Sequence, residues 1–572
     1  MFSENIHVFG IRTQKMIIPF FTTFLLLTTL GSFFLYAEGD LIKGKPALPG
    51  KACQTKPLFN WTPQEKWVWK QICNGEIADF NERDKEYDKV FDPKNHKRKP
   101  KGRLLTSEFL ETILLHETFC GSLTHHGVRI IGAWFKDPID LTNATLYHQL
   151  WLDKSRFDSD IDLIFLKTNY MISLDGSYFN GKLNLHSAKI GGQLNINGSK
   201  FSDELNMNSL EVENSLFMID CTGLKEVNLI GAYVKGQLNM RGSKFAGKLT
   251  MDSLQVGGSL LMRDNAEFAE TNLLNAKIGS ALEMDGSKFT GKLMMQRLEV
   301  VNNLFMRNAV FIKVSLDSAK IRGNLELSGS KFHFIDLTNT NIDREFMLSS
   351  KNTNMDNAEW DGISRLALHN TKVGVLQDSR NSWPEHLELN GFTYGRLGNF
   401  IADNNKDLSE RDITWFKKWM GKQVKYSPQP YEHLAKILRQ DGRMKEAREI
   451  LFTSKSIEHR KTTFGWYWLW LTTIWTFIGY GYRIYYAFIW SLVLVTIGTV
   501  CLGLSKQYRK KDLKYYGLAY SVDMLLPIIH LRKYHYDNIE LEGWVRGYFY
   551  VHKILGYALA LFIITGLTGI VK

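Results

Sequence analysis

Cysteine is scarce, with five in 572 residues, and what is missing around those five excludes several chemistries. No two are spaced as CxxC or CxxCH, and none stands beside a His-x3–5-His pair. A redox dithiol, a c-type haem attachment and a zinc finger are thereby excluded. The chain also lacks a GxGxxG turn and any iron–sulfur spacing, so no cofactor is expected. No RNP or recognition-helix pattern accompanies the basic charge, so nucleic acid is not an expected partner. The cysteines themselves read in two ways. They are buried small hydrophobes, or Cys53 and Cys73, which flank one short N-terminal stretch, form a disulfide that needs an oxidising compartment.

The chain is too long for one ordinary core, so two or more units are expected. Hydrophobic residues make up 44% while the mean hydropathy is −0.20, which fits a wet body with apolar segments attached. The formal net charge of +12 suits contact with something anionic, and a bilayer surface meets that need without nucleic acid.

An uncharged run over 16–37, preceded by Arg12 and Lys15, has the form of a signal peptide or signal anchor. Three further apolar stretches cluster at 464–480, 484–504 and 554–571. The first is aromatic and short, which suits the membrane interface, whereas the other two suit spans. The loop between the spans carries Lys506, Arg509, Lys510, Lys511, Lys514, Arg532, Lys533 and Arg546, and short basic loops stay cytoplasmic. These signals agree if the protein sits in a bacterial inner membrane, its large domain is periplasmic, and 464–480 does not cross.

Self-similarity dominates the middle of the chain. NGSKF, RGSKF, DGSKF and SGSKF place glycines at 198, 242, 286 and 329, steps of 44, 44 and 43. SAKI, GAYV, NAKI and SAKI carry Ala188, Ala232, Ala276 and Ala319 at the same steps. Gly176 of GSYF precedes Gly198 by 22, so the unit is two coils of 22. Within a coil, alternation at period 2 is broken every few residues, as in Leu194-Asn195-Ile196, which means brief strands with corners. The expected fold is mainly β, a right-handed parallel β-helix. Phe201, Phe245, Phe289 and Phe332 would stack in one interior column, and Leu194, Leu238, Leu282 and Leu325 in another. Residues 128 to 350 would make a rod on the order of 45 Å long. The expected division is a helical N-terminal cap at 38–127, the β-helix at 128–400, a helical collar at 401–460 and a membrane domain at 461–572. Residues 426–459 within the collar read as one tetratricopeptide-like hairpin turning at Asp441-Gly442.

The stretches FNWTPQEKWVWKQICNGEIADFNER and HGVRIIGAWFKDPIDLTNA, the SAKI, GSKF and SLQV coils, and the tail GWVRGYFYVHKILGYALALFIITGLTGIVK together resemble a group of bacterial membrane proteins with pentapeptide-like repeats. The resemblance covers nearly the whole chain. It implies the architecture and no activity, because fold does not imply function. Some members are labelled membrane-associated oxidoreductase, yet this chain carries no motif for such chemistry. A pentapeptide coil has 20 residues and this one has 22, which bears on whether the cross-section is square.

Several residues invite a chemical reading. Lys200, Lys244, Lys288 and Lys331 fall on alternate coils and form either a solvated face or a ladder for an envelope polyanion such as a lipopolysaccharide core. A neighbouring outward column runs Lys189, Glu211, Tyr233, Gln255, Lys277, Glu299, Lys320, a structural ladder of alternating charge. Gly479-Tyr480-Gly481 resembles a potassium filter, but Phe477 stands where the filter threonine belongs and Arg483 guards the mouth, so the tripeptide reads as a turn into the span. His530, His535 and Asp537 read as a solvated patch on the basic loop. Asp203-Glu204 is the only obvious acidic pair for a polysaccharide lyase or hydrolase. The expected function is non-catalytic binding or scaffolding, with membrane lipid as one partner, an envelope polyanion or protein as another, and a homo-oligomer open. The alternatives are a channel or transporter with a periplasmic sensing rod, and a membrane-associated or polysaccharide-active enzyme.

Overall fold

A computed structural model of the chain describes residues 53, 55–84, 91–95, 102–349, 357–398, 408, 411–504, 511–526, 531–533, 535 and 541–567. The expected signal segment at 1–37 lies outside the described residues.

From Thr55 onward the chain begins with helices α1 (Pro63–Cys73), α2 (Phe80–Arg83), α3 (Ser107–Leu115) and α4 (Glu117–Cys120). Thr62 caps α1 in a capping box with Glu65, and the other Glu65 oxygen accepts from the backbone N–H (3.0 Å) and hydroxyl (2.6 Å) of Thr106, the cap of α3. One buried carboxylate therefore satisfies the orphan donors at two helix starts. Burial raises its pKa, but the hydrogen bonds from Thr106 and Thr62 outweigh burial and hold it below the usual range. The cap is not purely helical. Ala78–Asp79 pairs in parallel with Ile130–Ile131, and Leu104–Leu105 with Trp134–Phe135, so the cap starts two of the sheets.

A parallel β-solenoid of about 12 turns follows, with roughly 22 residues per coil. Each regular coil has four short strands, for example Lys189–Ile190, Leu194–Asn195, Lys200–Phe201 and Leu205–Asn206. The four-sided coil thus survives the two extra residues. The inward residues show how: Leu183, Leu185, Ala188 and Ile190 are followed by Leu194, Ile196, Ser199 and Phe201, all buried. Half a coil is therefore an 11-residue repeat. Its corner is a left-handed residue, seen at Ser187, Gly198, Ser209, Asp220, Gly231 and Gly242. Small residues and those with a short polar side chain adopt that conformation with least strain, which accounts for the glycine of GSKF and for the Ser, Asp and Asn that replace it.

The leucine column forms as expected, Leu194 pairing through Leu216 to Leu238, Leu260, Leu282, Leu304 and Leu325. The phenylalanine column differs from expectation. Phe135, Phe157, Phe179 and Phe201 stack in sequence, and Phe245, Phe268, Phe289, Phe311 and Phe332 form a separate stack. The coil between them supplies no ring: Gly223, with φ +76°, stands one coil from Phe201, and a one-residue shift in register makes Leu224 the neighbour of Phe245. Beside these stacks runs a buried hydroxyl column. Ser177 Oγ donates to Leu152 O (3.0 Å) and accepts from the N–H of Ser155 (3.0 Å), and Ser199 repeats both bonds one coil later. Cys221 takes a place in this column, its thiol directed at Ile196 O. Burial pushes that thiol up to about 12, which leaves it inert.

The last strand, Thr393–Leu397, is covered by α5 (Ile413–Gly421), α6 (Gln429–Gln440) and α7 (Met444–Lys461). The expected hairpin is present as α6 and α7, and it seals the solenoid end. His433 Nε2 accepts from the N–H of Tyr394 (2.9 Å) and Gln429 Oε1 from that of Gly391 (2.8 Å). Arg411 and Asp378 form a buried ion pair at 2.8 Å beneath the lid. Helices α8 (Trp466–Ile478), α9 (Tyr485–Leu504), α10 (Lys511–Leu525) and α11 (Gly543–Leu567) complete the described chain. Two of these, Tyr485–Leu504 and Gly543–Ile564 within α11, are long and apolar enough to cross a membrane. The second begins earlier than the expected 554–571, because Arg546 enters the helix and donates to Tyr550 Oη one turn on (2.9 Å).

Candidate functional site

The rod surface shows where the two outward columns fall. Lys189 meets Glu211 at 2.7 Å and Lys320 meets Glu299 at 3.3 Å, in the register Lys189–Glu211–Tyr233–Gln255–Lys277–Glu299–Lys320. The second column is less cationic than its spacing implies. Glu267 is inserted between Lys244 and Lys288 and pairs with Lys244 at 3.5 Å, and Lys331 pairs with Glu359 at 2.7 Å. Lys200 sits next to Thr222 on the far side of the break at Gly223. Glu204 of the acidic pair is bound by Lys182 of the preceding coil at 3.3 Å.

A cavity of about 520 Å³ opens where the chain departs from its 22-residue period, lined by Asn357, Glu359, Trp360, Asp361, Asn381, Trp383 and Glu385 among others. Its carboxylates come from adjacent coils and each has a basic partner: Lys331 on Glu359, His333 on Asp361 (2.6 Å), and Lys422 on Glu385 (3.5 Å). Counting in steps of 22 does not find this cluster, because the chain between Ser349 and Asn357 is inserted into the period.

Both Cys53 and Cys73 are disulfide-bonded, and Cys120, Cys221 and Cys501 are free. Gly479-Tyr480-Gly481 forms a single 3₁₀ turn with φ of +52°, +58° and +88°. Tyr480 is buried and its hydroxyl lies 2.7 Å from His459 Nδ1 of α7, while His459 Nε2 lies 3.0 Å from Thr472 Oγ1 of α8. Arg483 reaches back to Glu449 at 3.4 Å and covers the Phe452 ring at 4.0 Å. The tripeptide thus locks the lid to α8 and to the turn that leads into α9.

The most unusual chemistry lies between α9 and α11. Tyr520 and Met524 of α10 pack with Leu502, Leu541, Val545 and Phe549, whereas Leu525 packs with Leu494, Val495 and Leu559. The rise from Leu504 back to Leu494 is about 15 Å, half the length of α9. Helix α10 therefore runs back alongside α9 to its middle, and the chain is back at the level of Leu502 by Leu541. Gly498 leaves room for Ser521 and His552, and Gly556 for the Leu525 backbone, the small-residue contact by which apolar helices approach closely.

This hairpin buries polar groups. Ser521 Oγ donates to Val495 O (3.0 Å), and His552 Nε2 lies 3.1 Å from Ser521 O. Asp523, fully buried, accepts from Leu531 N–H (2.8 Å) and pairs with His535 Nδ1 (2.9 Å). His535 was expected to be solvated; instead its side chain is 1% exposed and its Nε2 has no hydrogen-bond partner among the described residues. The reason is Asp523, a partner twelve residues upstream that the local spacing of His530, His535 and Asp537 does not show. His530 and Asp537 lie outside the described residues. A buried carboxylate that holds one imidazole nitrogen fixes the ring and leaves the other nitrogen to meet a ligand or a proton.

Comparison with family models, curated proteins and solved structures finds no match to this chain.

Proposed function

We propose that the protein is a membrane-anchored scaffold of a bacterial envelope, a non-catalytic rod presented in the periplasm from the inner membrane. The observation that carries the reading is the join between rod and membrane helices. A solenoid closed at both ends by helices is bound to α8 and α9 through Tyr480–His459, His459–Thr472 and Arg483–Glu449. Such a join fixes the direction of the rod, which a flexible tether would leave free. The disulfide-bonded Cys53 and Cys73 fit an oxidising compartment, and the resemblance to membrane proteins with pentapeptide-like repeats points the same way. Reporter fusions test the topology: one placed after residue 350 should read periplasmic and one in 505–510 cytoplasmic. A cytoplasmic reading at 350 overturns the proposal.

A second reading, a channel or transporter, is favoured by one observation, the half-depth hairpin with its buried Asp523–His535 pair. Ionisable groups at that depth commonly serve ion or proton pathways. Potassium or proton flux in proteoliposomes that Asp523→Asn abolishes would promote it over the scaffold.

A further inference from the structure

Helix α8 has 13 residues, a length of about 20 Å, short of the ~30 Å needed to span. Yet it is strongly aromatic and turned outward. Trp466 is 87% exposed, Phe464 just before it 81%, Trp470 54% and Trp475 46%, while Leu471 is its buried residue. Its threonines hide their hydroxyls, since Thr472, Thr473 and Thr476 each donate to a carbonyl one turn back. No acidic residue occurs from His459 to Leu504.

The last turn of α7 supplies the opposite property. Arg460 and Lys461 are exposed and neither joins an ion pair among the described residues. Arg460 donates to Ser456 O of its own helix, and Lys461 lies 5.4 Å from the Tyr426 ring. The chain passes from this cationic turn to the first exposed ring at Phe464 within three residues. Uncompensated cations beside a belt of exposed indoles match the layering of a bilayer surface, where phosphates lie just outside the level that aromatic rings prefer.

We propose that α8 and the last turn of α7 form a docking surface for anionic phospholipid headgroups, with α8 in the plane of the interface and Arg460 and Lys461 on the phosphates. This deepens the membrane-anchored reading and rests on it. Because His459 and Glu449 join α7 to the turn after α8, the lipid surface then sets how the rod stands.

The test uses the full chain in nanodiscs of phosphatidylcholine with and without phosphatidylglycerol, spin-labelled singly at Trp466→Cys, Trp470→Cys and Thr473→Cys, exposed positions on one face of α8, in a Cys501→Ser background. All three labels should report one shallow depth, within about 5 Å. A depth that increases steadily along the helix, or full aqueous exposure, overturns the proposal. Labels at Leu492→Cys on α9 report separately whether the span is inserted, so failure of the interface and failure of the anchored reading are distinguishable. Retained phosphatidylglycerol, counted by native mass spectrometry, should fall about fivefold per cation removed in Arg460→Gln and Lys461→Gln, and stay at the wild-type level in Lys445→Gln. Arg460→Lys should keep most of it, and inorganic phosphate should not compete. Equal retention in wild type and the Arg460→Gln/Lys461→Gln double variant overturns the headgroup assignment.

Discussion

The solenoid and the C-terminal helical unit solve one problem, burying polar groups, in opposite ways. In the solenoid each buried hydroxyl repeats its bonds one coil later: Ser177 does what Ser199 does, and Ser243 holds Cys221 N–H and Met218 O in the same manner. In the C-terminal helical unit the polar contacts occur once each, as at His459–Tyr480, Ser521–His552 and Asp523–His535. Repetition spreads an error over interchangeable neighbours, and contacts between adjacent coils add nearly independently. A unique contact has no substitute, and a buried ionisable group held by one marks a place where the fold accepts cost for a task. The comparison makes the rod the repetitive part of the molecule and the hairpin the chemically specific part.

The largest expected effect sharpens the rod side. Phe245→Asp puts an unpaired carboxylate between coils, at a cost of more than about 4 kcal/mol, whereas Lys244→Asp, on an exposed side chain, should cost under about 1 kcal/mol. Hydrogen exchange should show the Phe245→Asp damage confined to the adjacent coils. Equal damage from both variants would mean the inward and outward registers are wrong.

Next comes the membrane side. Asp523→Ala leaves His535 buried without its partner and should cost about 3 kcal/mol, read as a lower melting temperature in detergent. Asp523→Ala/His535→Phe should recover part of that loss, since no imidazole is then buried without its carboxylate, while the Leu531 N–H still lacks its acceptor. No recovery would show that the cost lies in the other contacts of Asp523 and not in the His535 pair.

A smaller effect comes from pH. Burial lowers the pKa of His433 from its ordinary 6.5, against the contact of its Nε2 with the Tyr394 carbonyl oxygen (2.9 Å), which raises it. The unfolded chain therefore takes up a proton first, and the stability of the lid is complete above pH 6.5 and declines as pH falls below it. Glu65 acts at lower pH in the same sense: its lowered pKa gives the N-terminal cap stability that is present above its unfolded value and lost as pH falls through the folded one. His433→Gln should flatten the melting-temperature profile between pH 7 and 5 without changing it near pH 4. An unchanged profile would remove His433 as the cause.

The smallest effect concerns the surface ladder. Lys189→Ala should change stability by less than about 1 kcal/mol, and the difference should vanish in high salt, because Lys189 and Glu211 are both exposed. A larger, salt-resistant loss would mean that the ladder helps fix the register.

Most of the rod was legible in the residues. The steps between Gly198, Gly242, Gly286 and Gly329 gave the coil length, and each strand pairing follows from adding about 22. The same arithmetic failed where the chain breaks its period. It missed the one-residue shift in register at Gly223 that splits the phenylalanine stack, and the longer step from Lys331 to Glu359 beside which Glu359, Asp361 and Glu385 line one cavity. The finer 11-residue half-coil was also present in the sequence, in the recurrence of an inward pair followed by a small inward residue. Nothing local signalled that His535 is buried.

The sequence by itself determined the solenoid, its coil length, its inward columns and the apolar helices beyond it, because a repeat stacks on its own copies and neighbours in space are fixed by distance along the chain. Only the tertiary structure decided that the two-helix hairpin is a lid, that Tyr480 binds His459 and that Asp523 binds His535. Those contacts join unlike segments once each, and their partners are set by how helices of different lengths pack, which no period records.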